Sequence, residues 1–195
     1  GGLDDTICPL NPESKSRLKS LISKSLSFNP DGIIIDHFRF SGHWETTSKT
    51  LVDVHLPCEH CDHKNRGDEI AKIASWVKGL VPKSVEFGYY TIPARYDEFP
   101  ELGQNHKLLG SFFDYLSPML YQRMVGKPTN YISEFTKYLA NLTGKPVLPI
   151  IQVKDMPDNL PDQVTKELLQ QEYFEAGQPP SSGIAWFSWD GAIEK

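Results

Sequence analysis

The sequence predicts an α/β protein of about five successive βα units, a parallel (β/α)-barrel that is incomplete. Three observations predict it. Apolar runs without alternation, such as Ile33-Ile34-Ile35, suit strands buried on both faces. Segments with helical apolar spacing lie between those runs. Strand starts fall near residues 32, 85, 113, 147 and 183, and three of the four gaps are close to the ~31 residues of a barrel unit.

The elements follow in order. Asn11 can cap a first helix, with Pro12 at its first position and Glu13 facing its dipole. Leu18, Leu21, Ile22 and Leu26 recur at helical spacing along it. Asn29-Pro30-Asp31-Gly32 is turn chemistry before the first strand, which ends in Asp36. Residues 41–67 form an inserted loop at the carboxyl end of that strand, the functional face of a barrel. A helix over 68–80 turns Ile70, Ile73, Ala74, Val77 and Leu80 to one side. A strand at Val85–Thr91, a short helical connection at 104–111 and a strand at Phe113–Tyr121 come next. A helix over 130–142 points Ile132, Phe135, Leu139 and Leu142 inward, and Gly144 stops it. Strand Val147–Val153, helix 162–176 and strand Gly183–Trp189 complete the series.

Five strands are short of the eight of a closed barrel. The chain reads as the last five units of a larger barrel, as one part of a barrel completed by another chain, or as a five-stranded open sheet of the flavodoxin kind. The whole of 1–195 is read as one domain.

Composition narrows the function. The 195 residues are 39% hydrophobic and 23% charged, which places the chain in the globular class. The net charge is −5 and the basic residues form no stripe, so nucleic acid is not the expected partner. No apolar run reaches the ~18 residues of a membrane span. Three cysteines argue against a disulfide framework and leave the compartment open.

Asp36 is the first residue with chemical promise. A carboxylate following three isoleucines emerges where a buried strand ends, and Arg39 is near enough in sequence to hold it ionised. The same placement suits a structural ion pair.

Asp31-Gly32-Ile33-Ile34-Ile35-Asp36-His37-Phe38-Arg39-Phe40 resembles the fourth-strand motif of glycosyl-hydrolase barrels distantly related to the α-amylase group. Asp114-Tyr115-Leu116-Ser117-Pro118-Met119-Leu120-Tyr121 resembles their sixth strand, Pro149-Ile150-Ile151-Gln152 their seventh, and Gly183-Ile184-Ala185-Trp186-Phe187-Ser188-Trp189 their eighth. Cys8-Pro9-Leu10-Asn11-Pro12 resembles the segment before the helix leading to strand four. The resemblance implies strands four to eight, glycosidase activity on a poly- or oligosaccharide, and Asp36 as nucleophile. It also implies a Glu ending strand five. Here Glu86 stands near the start of that strand, and Tyr89 and Tyr90 near its end.

Glycoside hydrolysis uses two carboxyl groups. Glu45, Asp155 and Asp190 are candidates for the second, with Glu45 favoured as acid. Arg39 would steer Asp36. His37, Trp44, Tyr90 and Tyr121 are expected to line the sugar site. Gln152, Asp155, Trp189 and Asp190 are expected there too, since aromatic faces stack on sugars and amides bond hydroxyls. Met119 and Trp186 are expected to be core. A barrel that binds carbohydrate without cleaving it is the alternative.

Cys58-Glu59-His60-Cys61-Asp62-His63 has metal-ligand spacing. Cys58, Cys61 and His63 are the expected ligands of a structural zinc, with His55, His60 or Cys8 as other possible donors. Related barrel families carry a Cys-rich motif in this loop that resembles a zinc clip. Two free thiols, a local disulfide or a thiol module remain the competing readings. No cofactor is required for the hydrolytic chemistry.

Overall fold

The computed structural model describes residues 8–45, 50–53, 58–61, 65–154 and 163–188, with backbone alone at 43–45 and 50–53. Helix α1 spans Pro12–Leu26, and Asn11 Oδ1 caps it by accepting from the Glu13 N–H at 2.8 Å. Strand β1 is Gly32–Ile35. The inserted segment carries an antiparallel hairpin, β2 (Gly42–Glu45) and β3 (Thr50–Asp53), which the apolar pattern did not announce. Then come α2 (Arg66–Lys78), β4 (Glu86–Thr91), α3 (His106–Leu109) and β5 (Tyr115–Pro118). The chain continues through α4 (Tyr131–Thr143), β6 (Ile150–Gln152), α5 (Lys166–Ala176) and β7 (Ala185–Phe187).

The fold is mixed α/β with parallel strands. β1 pairs with β4, β4 with β5, and β6 with β7, all parallel. Isolated parallel bridges, Leu116 to Val147 and Met119 to Ile150, join β5 to the β6 segment. The parallel strands therefore stand side by side in chain order. An open flavodoxin-like sheet reverses its order at a switch point; this arrangement has no reversal, so that alternative does not hold. The described strands form an arc of short pairings, not a closed barrel.

Several elements are shorter than the sequence suggests. The expected Phe113–Tyr121 strand contracts to Tyr115–Pro118, and Val147–Val153 to Ile150–Gln152. Pro118 and Pro149 lack the N–H a ladder needs, which limits regular pairing there. Ile33, Ile34 and Ile35 are half-buried, not buried on both faces, because β1 pairs through one edge only among the described residues. Leu21 was expected inward but is exposed; α1 packs through Leu18, Ile22 and Leu26, the i, i+4 row.

The core lies between strands and helices. Phe87, Tyr89, Leu116, Val147, Ile151 and Val153 turn to the helix side, where Ile70, Ile73, Val77, Ile132 and Leu139 meet them. Phe113 is the hub, with ring centroids 4.6 Å from Phe87, 4.4 Å from Tyr89 and 5.5 Å from Phe38. Since paired residues of parallel strands share a face and neighbours alternate, the register leaves Ile34, Tyr115 and Tyr90 on the opposite side of the sheet. Gly88 is a requirement of that side: a Cβ there would come within 2.4 Å of the Tyr115 ring that crosses it.

Candidate functional site

The carboxyl ends of the parallel strands carry the candidate site. Asp36 directly follows β1, and its side chain is 53% exposed. Its Oδ1 accepts from the His37 N–H at 2.6 Å, and the His37 ring Nε2 stands 3.8 Å from Oδ2. His37 adopts φ 51°, a left-handed conformation uncommon for a residue with a Cβ.

Arg39 does not close the expected ion pair with Asp36. Its guanidinium donates to the Phe40 carbonyl at 3.1 Å. Burial pulls its pKa down, and the nearby Asp36 charge pulls it partly back. The two groups act on one another through space. Tyr90 and Tyr121 feel the same carboxylate. Burial first, and the Asp36 charge second, push both phenols above their ordinary value. Both therefore remain protonated and can donate hydrogen bonds. Asp36, Arg39, Tyr90 and Tyr121 thus form one electrostatic group at the ends of β1, β4 and β5.

Arg39 and Tyr121 also line a cleft of about 680 Å³. Its walls come from the segments after β4 and β5 and from α4, with Ile92, Phe99, Met119, Tyr131 and Tyr138 giving it an apolar and aromatic surface. Met119, expected in the core, packs against the small cluster of Ile92, Ala94 and Leu102 and also lines this cleft. Charges stand among these rings: Arg95 lies over the Tyr138 ring at 4.9 Å, and Lys127 over Tyr131 at 5.7 Å. Glu98 and Glu134 are carboxylates of the lining that sequence reasoning missed, because both sit in loop or helix sequence without a motif. A cleft with aromatic faces and polar or charged groups set among them suits a ligand with both apolar faces and hydroxyls.

Gln104, also missed, fastens the strand ends together. It is buried; its Oε1 accepts from Ile92 N–H at 2.9 Å, and its Nε2 donates to the carbonyls of Phe38 at 3.2 Å and Tyr90 at 3.1 Å. One side chain thereby holds the Asp36 turn against the end of β4. Gln104→Ala strands these buried groups and is expected to cost about 1–3 kcal/mol. Denaturant unfolding of the variant checks it.

His106 supports the same wall. It is fully buried, and burial drives its pKa down to about 4. The ring is neutral at pH 7. Nε2–H donates to the Ala94 carbonyl at 3.0 Å, which leaves Nδ1 to accept from the Tyr89 hydroxyl at 3.1 Å. Tyr89, placed by sequence at the strand end, is therefore a buried structural residue. An unfolded histidine titrates near 6.5, so between that value and about 4 the unfolded chain holds a proton the folded one lacks. Stability is expected to fall by about 3 kcal/mol as pH drops through that window. Urea unfolding at several pH values, in parent and His106→Gln, should show a steeper loss in the parent.

The other expected site residues divide. Gln152 ends β6 and is 2% exposed, and neither atom of its amide has a hydrogen-bond partner among the described residues. It pairs in register with Phe187 of β7, whose ring lies 5.5 Å from Tyr121. Trp186 was expected to be core but is 42% exposed and packs edge-on against Tyr173 of α5; Phe187, on the other face of β7, is exposed to the same extent. Glu86, at the start of β4 opposite Gly32, is at the far end from Asp36. Trp44 and Glu45 belong to β2, where the backbone alone is described. Asp155, Trp189, Asp190 and His63 lie outside the described residues.

A second cluster joins three thiols. The Sγ atoms of Cys8, Cys58 and Cys61 all lie within 4.8 Å of one another and could hold a metal ion. None is in a disulfide.

No protein-family model matches the sequence, and no curated protein matches it significantly. Among solved structures, the chain is similar to N-acetylneuraminate lyase from Fusobacterium nucleatum, at 12% identity and a TM-score of 0.51. The match covers 92% of this chain and 52% of that one, so the chain spans about half the length of that lyase. That protein is named as a lyase. At this identity the likeness bears on the fold alone, and it is consistent with parallel strands arranged as in part of a (β/α)-barrel.

Proposed function

We propose that this chain is the functional half of a carbohydrate-active (β/α)-barrel, a glycoside hydrolase in which Asp36 is the reacting carboxylate. One observation carries the reading. Asp36, Arg39, Tyr90 and Tyr121 converge at the carboxyl ends of neighbouring parallel strands, beside an aromatic cleft. Ligand chemistry on this architecture gathers at that end.

Asp36 would attack the anomeric carbon or take a proton from the attacking water, while a second carboxyl group protonates the departing glycosidic oxygen. Half-buried Arg39 would steer Asp36 through its charge. Tyr90 and Tyr121 donate to sugar hydroxyls. Gln152, whose buried amide lacks a partner among the described residues, would bond a hydroxyl as well. The proton donor is sought in Glu45, Asp155 or Asp190, and in Glu98 of the cleft wall. The edges of β1 and β7 that are unpaired among the described residues would close against further βα units, on this chain or another.

A second reading, a barrel that binds sugar without cleaving it, is favoured by β4. The amylase-like pattern ends that strand in Glu, and here it ends in Tyr90 and Thr91. Reducing-end release from a panel of polysaccharides separates the two. Release supports the hydrolase; binding without release supports the alternative.

A further inference from the structure

We propose that Cys8, Cys58 and Cys61 bind a zinc ion, which clamps the segment before α1 to the segment inserted after β1.

The geometry is that of a ligand set. The three sulfurs lie within 4.8 Å of one another, and Cys58 Sγ stands 3.4 Å from Cys61 Sγ. Tetrahedral zinc with Zn–S bonds of about 2.3 Å needs sulfurs about 3.8 Å apart. These spacings bracket that value. A disulfide needs about 2.05 Å and two sulfurs only; here a third thiol shares the same space.

Backbone N–H groups also face two of the three sulfurs. The N–H of Leu10 is directed at the Cys8 sulfur, and those of His60 and Cys61 at the Cys58 sulfur. Donors two residues beyond the cysteine thus serve both segments. Such bonds orient a ligating sulfur and spread its charge. The Cys8 turn is fixed independently. Its carbonyl accepts from Asn11 N–H at 3.0 Å and from the Ser14 hydroxyl at 2.8 Å, and Cys8 is buried.

The connectivity gives the ion a purpose. Cys8 leads into α1, whereas Cys58 and Cys61 lie between β3 and α2. Both pack against the main core as partly buried neighbours, with Cys8 inside it. A metal here ties together two stretches that are remote in sequence. Three soft thiolates select zinc over the hard divalent ions. A water would fill the fourth position. None of the three cysteines lines the cleft, so this site stands apart from the proposed hydrolase chemistry.

The test is metal content and spectroscopy of the reduced parent chain. One zinc per chain by elemental analysis is expected. Replacement by cobalt(II) should give thiolate-to-cobalt charge transfer and the intense visible bands of a tetrahedral site. Cys8→Ser should lose the charge-transfer intensity of one thiolate and weaken zinc binding by tenfold or more. Chelation should lower the parent's Tm by about 5–10 °C, the shift expected for a ligand at a hundred times its Kd in a domain of this size. Absence of stoichiometric metal, a cobalt spectrum unchanged by Cys8→Ser, or a Cys58–Cys61 disulfide in the native protein would each overturn the proposal. If Cys8→Ser does not fold, the parent's zinc count and cobalt spectrum decide.

Discussion

Asp36→Asn is expected to lower turnover by on the order of 10²–10⁴-fold and to leave the fold intact. The two halves of that expectation have separate grounds. The carboxylate is half-exposed, and among the described residues its hydrogen bond and close charge contact are with His37. Asparagine keeps an oxygen that can accept from the His37 N–H. A substitution of that kind away from the core changes stability by roughly 0.5 kcal/mol or less. The charge, however, is lost, and with it the ability to attack carbon or accept a proton. Initial rates of reducing-end release, with thermal unfolding of both proteins, check the prediction. Turnover retained by a folded variant would remove Asp36 from the chemistry.

Phe113→Ala is expected to have the largest effect on stability, about 3–5 kcal/mol. Phe113 is fully buried in the turn before β5. Its ring meets Phe38 edge-on and packs against Phe87 and Tyr89 at tilted angles. Phe38 lies in the Asp36 turn, while Phe87 and Tyr89 belong to β4. One ring therefore couples the turn that carries the candidate carboxylate to the strand beside it. Truncation leaves a cavity that three other aromatic rings are too constrained to fill, since packed cores relax only in part. Denaturant unfolding measures the loss. A cost under about 1 kcal/mol, the range of volume-conserving swaps, would mean that the hub is not where the rings place it.

Much of the architecture was legible because periodicity and punctuation agree. Asn11 and Pro12 mark the start of α1 through a capping oxygen and a missing donor, and Gly144 ends α4 in the left-handed conformation that glycine adopts freely. The strands were found from their apolar runs, but their ends were overestimated at Pro118 and Pro149. An apolar run reports burial and does not report whether each N–H finds a ladder partner. The β2–β3 hairpin escaped notice because Gly42–Glu45 and Thr50–Asp53 are short and carry no apolar run of their own.

The site was legible only in its linear part. Asp36 stood out because an acid after three isoleucines is unusual, and Tyr90 and Tyr121 because they end apolar runs. Gln104 and His106 gave no such signal. Their roles come from reaching across loops to Phe38, Tyr90 and Ala94, contacts that the order of residues does not encode. Cys8 illustrates the same point. Its distance in sequence from Cys58 and Cys61 made it one donor among several, and folding brings its sulfur to theirs.

The most direct test of the account is the structure of the Asp36→Asn chain with an oligosaccharide that the parent cleaves. The account predicts a sugar ring beside residue 36, within hydrogen-bonding reach of Tyr90 and Tyr121, and extending into the cleft walled by Met119 and Tyr131. A sugar seated anywhere else on the molecule, or no bound sugar at concentrations that support turnover by the parent, would contradict it.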